Sequence, residues 1–377
     1  MEELKLISSD SHVVEPPTLW TDRMDASVWG SQIPHVRTGG IDDPYDSWFV
    51  GDRKVAGTGA AAAAGKRFDD PGAIIQAGRY SDILPGAYDP IEHLKDMDLD
   101  GIFGGIVYPS VALPLFGLED PRLVRAILDA YNSWVVEFCS ANPRRLKAAA
   151  GVVLDDDIPG AIESMQQAVQ LGLSAIMISS FPREGERYHL PGYEPFWAAA
   201  NDLDIPLNFH VTTNRFGGPQ IIVDGKPNFN ATDRSTTDFY VRQSVGDMVF
   251  SGVFERFPKL KMVCVEHELG WIPFFTQRMD VQYKDRPDMA SYRFKDGAIP
   301  SDFMRRNVFH GFQEDALGIQ LRDLIGVDQM LWGSDYPHAE STFPYSRSIL
   351  DRILEGVPDG ERAKMVGLNA QRLYEFI

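Results

Sequence analysis

The segment LKAAAGVVLDDDIPGAIESMQQAVQLGLSAIMIS, residues 146–179, contains two apolar runs separated by an amphipathic stretch. Each run has the length and composition of a buried β-strand. Between the runs, Asp157 predicts the N-cap of a helix, Pro159 falls in its first turn, and Gly172 follows its last turn. The face predicted to pack on the strands carries Ile158, Ile162, Met165 and Val169. A strand, a helix and a second strand in this order predict neighbouring parallel strands.

The same alternation recurs along the rest of the chain. Helical patterns lie between most of the apolar runs, and Asp120 with Pro121 opens one of them. The predicted strands are 4–10, 102–108, 146–154, 175–179, 206–211, 260–266, 307–312 and 330–335. Eight strands with intervening helices predict an α/β fold, a closed (β/α)8 TIM barrel, with a doubly wound open sheet as the alternative. We expect one domain over residues 1–377.

Three segments are too long to be simple connections. They follow predicted strand 1 (20–100), predicted strand 5 (212–235) and predicted helix 6 (281–302), and are expected to be long loops. The first contains residues 57–65, Gly-Thr-Gly followed by five alanines and a glycine. This composition predicts a weakly packed loop, which is either a lid over the site or a surface excursion. The other two loops could shape a pocket or a contact in a homo-oligomer.

Composition excludes several classes of function. The chain has 36 Lys and Arg against 54 Asp and Glu, a net charge of −18, so nucleic acid is not an expected partner. Residues 1–9 lack the basic and apolar parts of a signal peptide, and no apolar run reaches the roughly 18 residues of a membrane span. We therefore expect a cytoplasmic protein with a small-molecule substrate. Cys139 and Cys264 lie in apolar segments and are predicted to be buried thiols.

Polar side chains end four of the predicted strands. The first strand ends in Asp10-Ser11-His12, and alternation places Asp10 and His12 on the same side. The others end in Asn208-Phe209-His210, Glu266-His267-Glu268 and Gly333-Ser334-Asp335. Because the carboxyl ends of barrel strands meet at one rim, these groups are expected to converge. Imidazole and carboxylate together suit zinc, manganese or iron.

Four motifs resemble the amidohydrolase-related barrels, which include aminocarboxymuconate semialdehyde decarboxylase and γ-resorcylate decarboxylase. They are DSHVVEPP at 10–17, VEHELGWIPF at 265–274, LWGSDYPH at 331–338 and GLNAQRLY at 367–374. The resemblance covers nearly the whole chain. It implies a metal-dependent barrel enzyme but does not define the reaction.

The resemblance also implies roles for individual residues. Asp10, His12, His210 and Asp335 fall at metal-ligand positions, and His267 falls at the position of a catalytic histidine. Asp335 could also share a proton with bound water. The chain departs from both named enzymes, because it has Asp-x-His where they have His-x-His or Glu-x-His. Its predicted fourth strand also lacks the lysine that bridges two metals as a carbamate in many amidohydrolases.

Further polar residues are candidates for a second metal or for substrate contacts. They are Glu15, Glu266, Glu268 and His338, with Glu340 on the same loop as His338. Arg183 and Arg215 follow predicted strands four and five. Either could anchor a substrate carboxylate, although exposed loop arginines are the commoner case.

Three functions remain open at this point. The leading hypothesis is a metal-dependent enzyme, with zinc or manganese, that hydrolyses or non-oxidatively decarboxylates a small organic acid or its derivative. The second is a nonheme diiron monooxygenase, since the additional carboxylates and imidazoles are sufficient for two irons. The third is a barrel that has lost catalysis and serves as a binding module.

Overall fold

The computed structural model describes residues 5–39, 45–59, 63–74, 78–215, 222–223, 226–227, 230–290 and 292–377. Its strands are β1 (Leu6–Val13), β2 (His35–Thr38), β3 (Asp46–Val50), β4 (Arg53–Gly57), β5 (Ile102–Pro109), β6 (Leu146–Gly151), β7 (Ala175–Ile178), β8 (Leu207–His210), β9 (Ile222–Val223), β10 (Lys226–Pro227), β11 (Met262–Val265), β12 (Val308–Phe312) and β13 (Met330–Trp332). Eight of them form one parallel sheet in the order β1-β5-β6-β7-β8-β11-β12-β13.

The segment after β13 returns to the first strand. The backbone N–H of Asp335 donates to the carbonyl of Asp10 at 2.8 Å, and that of His12 donates to the carbonyl of Tyr336 at 2.5 Å. These contacts nearly close the sheet into a barrel. Each of the eight predicted strands overlaps one barrel strand, and the predicted (β/α)8 fold is confirmed.

The helices are α1 (Leu19–Arg23), α2 (Ala26–Trp29), α3 (Lys66–Asp69), α4 (Pro90–Asp100), α5 (Ala112–Leu115), α6 (Pro121–Cys139), α7 (Ile158–Gln170), α8 (Glu194–Leu203), α9 (Ala231–Ser235), α10 (Asp238–Phe250), α11 (Val253–Arg256), α12 (Ile272–Asp285), α13 (Pro300–Asn307), α14 (Ala316–Gln320), α15 (Arg322–Ile325), α16 (Ser346–Ile353), α17 (Asp359–Ala363) and α18 (Asn369–Leu373). As predicted, Asp157 caps α7 by accepting from the N–H of Gly160 at 2.9 Å. The predicted face of α7 packs on the core: Met165 is fully buried, and Ile158, Ile162 and Val169 are partly buried against the core. Ala161 and Ala168 are buried beside them.

The segment 20–100 is folded and not a long loop, which corrects the prediction. The described part of the segment contains four α-helices and the antiparallel sheet β2-β3-β4. Trp20 and Trp48 are fully buried with ring centroids 4.8 Å apart, and the indole of Trp20 donates to the carbonyl of Ile127 on α6 at 3.0 Å. The two tryptophans therefore attach this segment to the barrel. The single domain over 1–377 stays a prediction.

The possible lid at 57–65 is described only in part, since residues 60–62 lie outside the described ranges. Ala63 and Ala64 are buried, and the N–H of Ala64 donates to the carbonyl of Pro337 at 2.9 Å. This end of the segment thus contacts the loop after β13. Its function as a lid stays a prediction.

Other expectations have mixed outcomes. The segment 281–302 is partly helical, because α12 extends to Asp285 and α13 begins at Pro300. Both cysteines are buried and free, as predicted, and burial raises the pKa of the Cys139 thiol to about 12. Within the described ranges, none of the helices combines the length and the apolar character that crossing a membrane requires.

Candidate metal centre

The ends of β1 and β8 and the loop after β13 bring four buried side chains together. Oδ1 of Asp10 lies 3.2 Å from Nε2 of His12 and 3.4 Å from Nε2 of His210. Nε2 of His12 also lies 3.3 Å from Oδ1 of Asp335. All four side chains are at most 3% exposed. Asp10, His12 and His210, together with Glu266, therefore place ligand atoms within 4.8 Å of one another at the carboxyl end of the barrel, and Asp335 joins them through His12.

A glycine allows Asp335 to reach this point. A Cβ atom at Gly333 would lie 2.5 Å from Cβ of Asp10, so any larger residue would collide with β1. Two residues later, Asp335 has a φ of 56°, a left-handed conformation that is uncommon for a residue other than glycine. Strained backbone of this kind is concentrated at functional sites.

The imidazoles of His12 and His210 each have Nδ1 next to a backbone carbonyl. Nδ1 of His12 lies 2.9 Å from the carbonyl of Pro109, and Nδ1 of His210 lies 3.1 Å from the carbonyl of Val211. A carbonyl can only accept, so Nδ1 carries the hydrogen and Nε2 presents its lone pair. Metal-binding histidines are fixed in this way by a partner on the other ring nitrogen.

The atoms that face each other have no hydrogen-bond partner among the described residues. They are Nε2 of His12, Nε2 of His210, both carboxylate oxygens of Asp10 and Oδ2 of Asp335. Unpaired buried polar atoms are costly, and a shared cation would satisfy all of them. Two imidazoles and two carboxylates also form a donor set that suits divalent zinc or manganese. The residues present fit a metal ion.

The pKa values show that the cluster favours positive charge. Burial opposes ionisation of Asp10, but contacts with His12 and His210 hold its pKa well below the usual range. The pKa of His210 is raised to about 9, because the attraction of Asp10 outweighs the effect of burial. Burial raises the pKa of Asp335 to about 7, and the nearby Asp10 adds to the rise. A metal ion would replace the proton that His210 otherwise holds.

His267 follows β11 at the same rim. Its Nδ1 lies 3.0 Å from the carbonyl of Thr237, and its Nε2 has no hydrogen-bond partner among the described residues. Burial and the neighbouring His210 lower the pKa of His267 to about 3. The ring is therefore neutral near pH 7 and has a lone pair at Nε2.

His338 lies beside the cluster, and both of its ring nitrogens have polar neighbours. Nδ1 lies 2.8 Å from Oδ1 of Asp335, and Nε2 lies 3.0 Å from Oγ of Ser110. Its ring packs on that of His12 with centroids 3.9 Å apart. These contacts fix the orientation of Asp335 and His12.

Glu15 was considered for a metal or substrate contact, and the structure uses it differently. Its carboxylate accepts three backbone N–H groups, from Ser110 at 3.2 Å, Val111 at 2.9 Å and Ala112 at 2.8 Å. The side chain is fully buried. Glu15 therefore holds the segment that carries Ser110, the hydroxyl partner of His338.

We expect Glu15→Gln to lower the free energy of unfolding by about 1–3 kcal/mol, because the new amide group must face a backbone donor and leave it unpaired. Urea unfolding followed by circular dichroism measures the change. Glu137→Gln is the control, since Glu137 is exposed and pairs with Arg23 on the surface. Equal stability of the two variants would show that the Glu15 contacts contribute nothing.

A second group of carboxylates overlaps the first, because Glu266 also lies within 4.8 Å of ligand atoms of Asp10, His12 and His210. Glu266, Asp335 and Glu340 each place an oxygen so that all three atoms lie within 4.8 Å of one another. Oε2 of Glu266 is 3.8 Å from Nδ1 of His210. Burial, followed by the charge of Asp335, raises the pKa of Glu266 to about 7. Glu268 is apart from this group, with its carboxylate 3.4 Å from the N–H of Gln313.

The sequence analysis missed Arg234, on α9. Its Nη1 lies 3.6 Å from Oε1 of Glu266, and its Nη2 contacts Oε1 of Glu340. Its segment, 212–235, was predicted as a loop, so nothing linked this residue to the rim. Asn230 followed three residues later by Asp233 is the available signal, since these two form a capping box at the start of α9.

Arg183 and Arg215 were candidates for anchoring a substrate carboxylate, and the structure corrects this. The side chain of Arg215 is 1% exposed, pairs with Asp155 and donates to the carbonyl of Leu118 at 2.8 Å. Arg183 lies 2.8 Å from Asp155 and 2.8 Å from Asp156. The guanidinium groups of Arg183 and Arg215 therefore link the loops after β6, β7 and β8 through ion pairs.

The sequence analysis also did not identify Tyr108 and Tyr374, which lie near the candidate site. The hydroxyls of Tyr108 and Tyr374 each donate to Oδ1 of Asn208 at 3.0 Å. The ring of Tyr108 lies 4.9 Å from that of His210. This network packs against the candidate metal centre from inside the barrel.

An eight-stranded parallel barrel with buried imidazoles and carboxylates at its strand ends defines the class of metal-dependent barrel enzymes. The family model described as amidohydrolase matches residues 104–376. The chain belongs to the amidohydrolase family.

Individual relatives agree with this assignment. The chain is 27% identical over 302 residues to gamma-resorcylate decarboxylase of Rhizobium sp. (strain MTP-10005), covering 75% of this chain and 86% of the relative. A solved amidohydrolase of Mycobacterium avium subsp. paratuberculosis K-10 has a TM-score of 0.77 at 22% identity, covering 99% of this chain and 100% of the other. A dihydroxybenzoic acid decarboxylase of Polaromonas sp. JS666, solved with manganese and 2-nitroresorcinol, has a TM-score of 0.62 at 16% identity, covering 98% and 97%.

Proposed function

We propose that the protein is a metal-dependent carboxy-lyase that removes carbon dioxide, without oxidation, from a hydroxylated aromatic acid. The observation that carries this proposal is the buried cluster of Asp10, His12 and His210, which Asp335 joins through His12. Nε2 of both histidines and both oxygens of Asp10 have no hydrogen-bond partner among the described residues. The named reactions of the relatives supply the reaction class.

Each residue of the centre has a part in this proposal. Asp10, His12, His210 and Asp335 would hold one divalent ion, with manganese or zinc preferred. When bound, the ion polarises the oxygens of a chelating substrate and so stabilises the electron pair that the departing carbon dioxide leaves behind. His338 keeps Asp335 in position through the 2.8 Å contact between Nδ1 and Oδ1.

His267 would move the proton. The reaction breaks the bond between the ring carbon and the carboxylate carbon, releases carbon dioxide and forms a bond from hydrogen to the ring carbon. No electron leaves the substrate. Neutral His267 can accept a proton at Nε2 from a substrate hydroxyl and return it to the ring carbon.

The other functions left open by the sequence have less support. The relatives described above with a named reaction are decarboxylases, which favours decarboxylation over hydrolysis. Neither is named as an oxygenase, so the diiron alternative has no support from them. A binding barrel would have no need for a buried set of converging ligands.

Chelation should abolish the activity and added metal should restore it. Carbon dioxide release from hydroxylated benzoates, 2,6-dihydroxybenzoate first, is measured without oxygen, after dialysis against a chelator and again after adding Mn²⁺ or Zn²⁺. We expect release only from the protein with added metal, because the carboxylate-imidazole set alone cannot stabilise the ring electron pair. Release that persists without metal, or that requires oxygen, would contradict the proposal.

A further inference from the structure

Three carboxylates converge at the outer side of the proposed metal centre. Oxygens of Glu266, Asp335 and Glu340 lie within 4.8 Å of one another, and Asp335 is completely buried. Oδ1 of Asp335 contacts His338, and Oδ2 has no hydrogen-bond partner among the described residues. Three carboxylates at this range repel one another unless protons or a cation neutralise them. This group resembles the ligand set of a second divalent ion, because hard cations prefer carboxylate oxygens.

A side chain already supplies a positive charge there. The guanidinium of Arg234 approaches Glu266 with Nη1 at 3.6 Å and contacts Glu340 with Nη2. Glu340 is on the loop after β13 and Glu266 follows β11, so Arg234 joins two separate loops at the same rim of the barrel. A guanidinium stays charged at any pH at which the protein is folded.

The helix that carries Arg234 is fixed at its start. The side chain of Asn230 accepts from the N–H of Thr232 at 2.8 Å and from that of Asp233 at 3.1 Å. The carboxylate of Asp233 accepts in return from the N–H of Asn230 at 3.1 Å. This capping box stabilises α9, which holds Arg234 at the rim although the helix is only five residues long.

We propose that Arg234 takes the place of a second metal ion, so that the protein binds one divalent ion although its carboxylates are sufficient for two. An ion bound by Glu266, Asp335 and Glu340 would compete with the guanidinium for the same oxygens, and the two cations would repel each other. The proposal rests on the proposed metal centre at Asp10, His12, His210 and Asp335. The new element is the role of Arg234, which limits the number of bound metal ions to one. One-metal and two-metal sites carry out different chemistry.

Removing the charge of Arg234 should therefore create a second site. Purified wild type, Arg234→Met and Arg234→Lys are loaded with Mn²⁺, dialysed and analysed for manganese per chain. We expect about one ion in wild type and in Arg234→Lys, and about two in Arg234→Met, where the carboxylates of a two-metal site are released. Electron paramagnetic resonance provides a second measurement, because two neighbouring Mn²⁺ ions give a spin-coupled spectrum and a single ion does not.

Further variants test whether a second bound ion depends on the loss of Arg234 and on the carboxylate of Glu340. Arg242→Met removes another partly buried arginine, which pairs with Asp238 on α10 at 2.8 Å, and should leave about one ion as in wild type. The double variant Arg234→Met with Glu340→Gln should return from about two ions to about one, because the second site loses a ligand. Circular dichroism confirms that each variant is folded, and Arg234→Gln replaces Arg234→Met if the latter aggregates.

The possible failures are distinguishable. Two ions in wild type would overturn the proposal about Arg234 and leave the metal centre intact. One ion in folded Arg234→Met and Arg234→Gln would do the same. A wild type that binds no ion would refute the metal centre itself, and with it the inference about Arg234.

Discussion

The His12→Ala variant is expected to lose stoichiometric metal binding and, with it, decarboxylation. Nε2 of His12 lies between two carboxylates, 3.2 Å from Oδ1 of Asp10 and 3.3 Å from Oδ1 of Asp335. Without Nε2 of His12, the carboxylates of Asp10 and Asp335 face each other across a cavity, and the metal site has one ligand fewer. We expect metal affinity to fall by more than about 100-fold, which exceeds the loss caused by removing an outer-shell partner. Manganese per chain after dialysis measures the change.

A second buried histidine provides the control. His93 on α4 is 2% exposed and its Nδ1 lies 2.8 Å from the carbonyl of Gly86. His93→Ala removes the same side chain from the interior but no proposed ligand, so it should keep its metal. If both variants lose metal equally, general loosening of the fold explains the effect. Full metal occupancy in His12→Ala would remove His12 from the ligand set.

The barrel could be predicted because its strands are parallel. Parallel strands are covered on both faces, so they appear in the sequence as short continuous apolar runs, such as 146–154 and 175–179. The fold also places every strand end at one rim, which makes a polar residue directly after a run informative. The convergence of Asp10, His12, His210 and Asp335 follows from these two facts together.

Pairings between distant loops could not be predicted. The sequence around Arg215 does not reveal that Asp155, 60 residues earlier, neutralises it. In the same way, nothing near Glu15 indicates that its carboxylate accepts from three amides that lie 95 to 97 residues later. Whether a charged residue faces the pocket or joins two loops depends on the path of those loops. Sequence periodicity contains no information about that path.

The insertion 20–100 was misjudged for a related reason. Its low-complexity part, 57–65, suggested a weakly packed loop, yet the same segment contains Trp20 and Trp48, which are fully buried. Large aromatic residues contribute much of the buried area in a core, so two of them outside the predicted strands indicate additional folded structure. Weighting these residues above the alanines would have predicted a packed insertion.

The second large effect is expected at His267. We expect His267→Asn to retain the metal and to lower the turnover number by about 100-fold to 10,000-fold, the usual contribution of a proton-transfer group. The amide of asparagine can donate to the carbonyl of Thr237 as Nδ1 of His267 does at 3.0 Å, so the local fold is preserved. What disappears is the lone pair at Nε2. Metal content and the rate of carbon dioxide release at saturating substrate are the two measurements.

The combination of results decides the role of His267. A proton-transfer role requires a lower turnover number with unchanged metal content, and deuterium from heavy water should enter the product more slowly than in wild type. His189→Asn, at a half-exposed histidine that pairs with Asp247, should match wild type in all three measurements. If His267→Asn loses its metal, His267 supports the centre but need not transfer a proton. If its turnover is unchanged, the proton must come from a group other than His267.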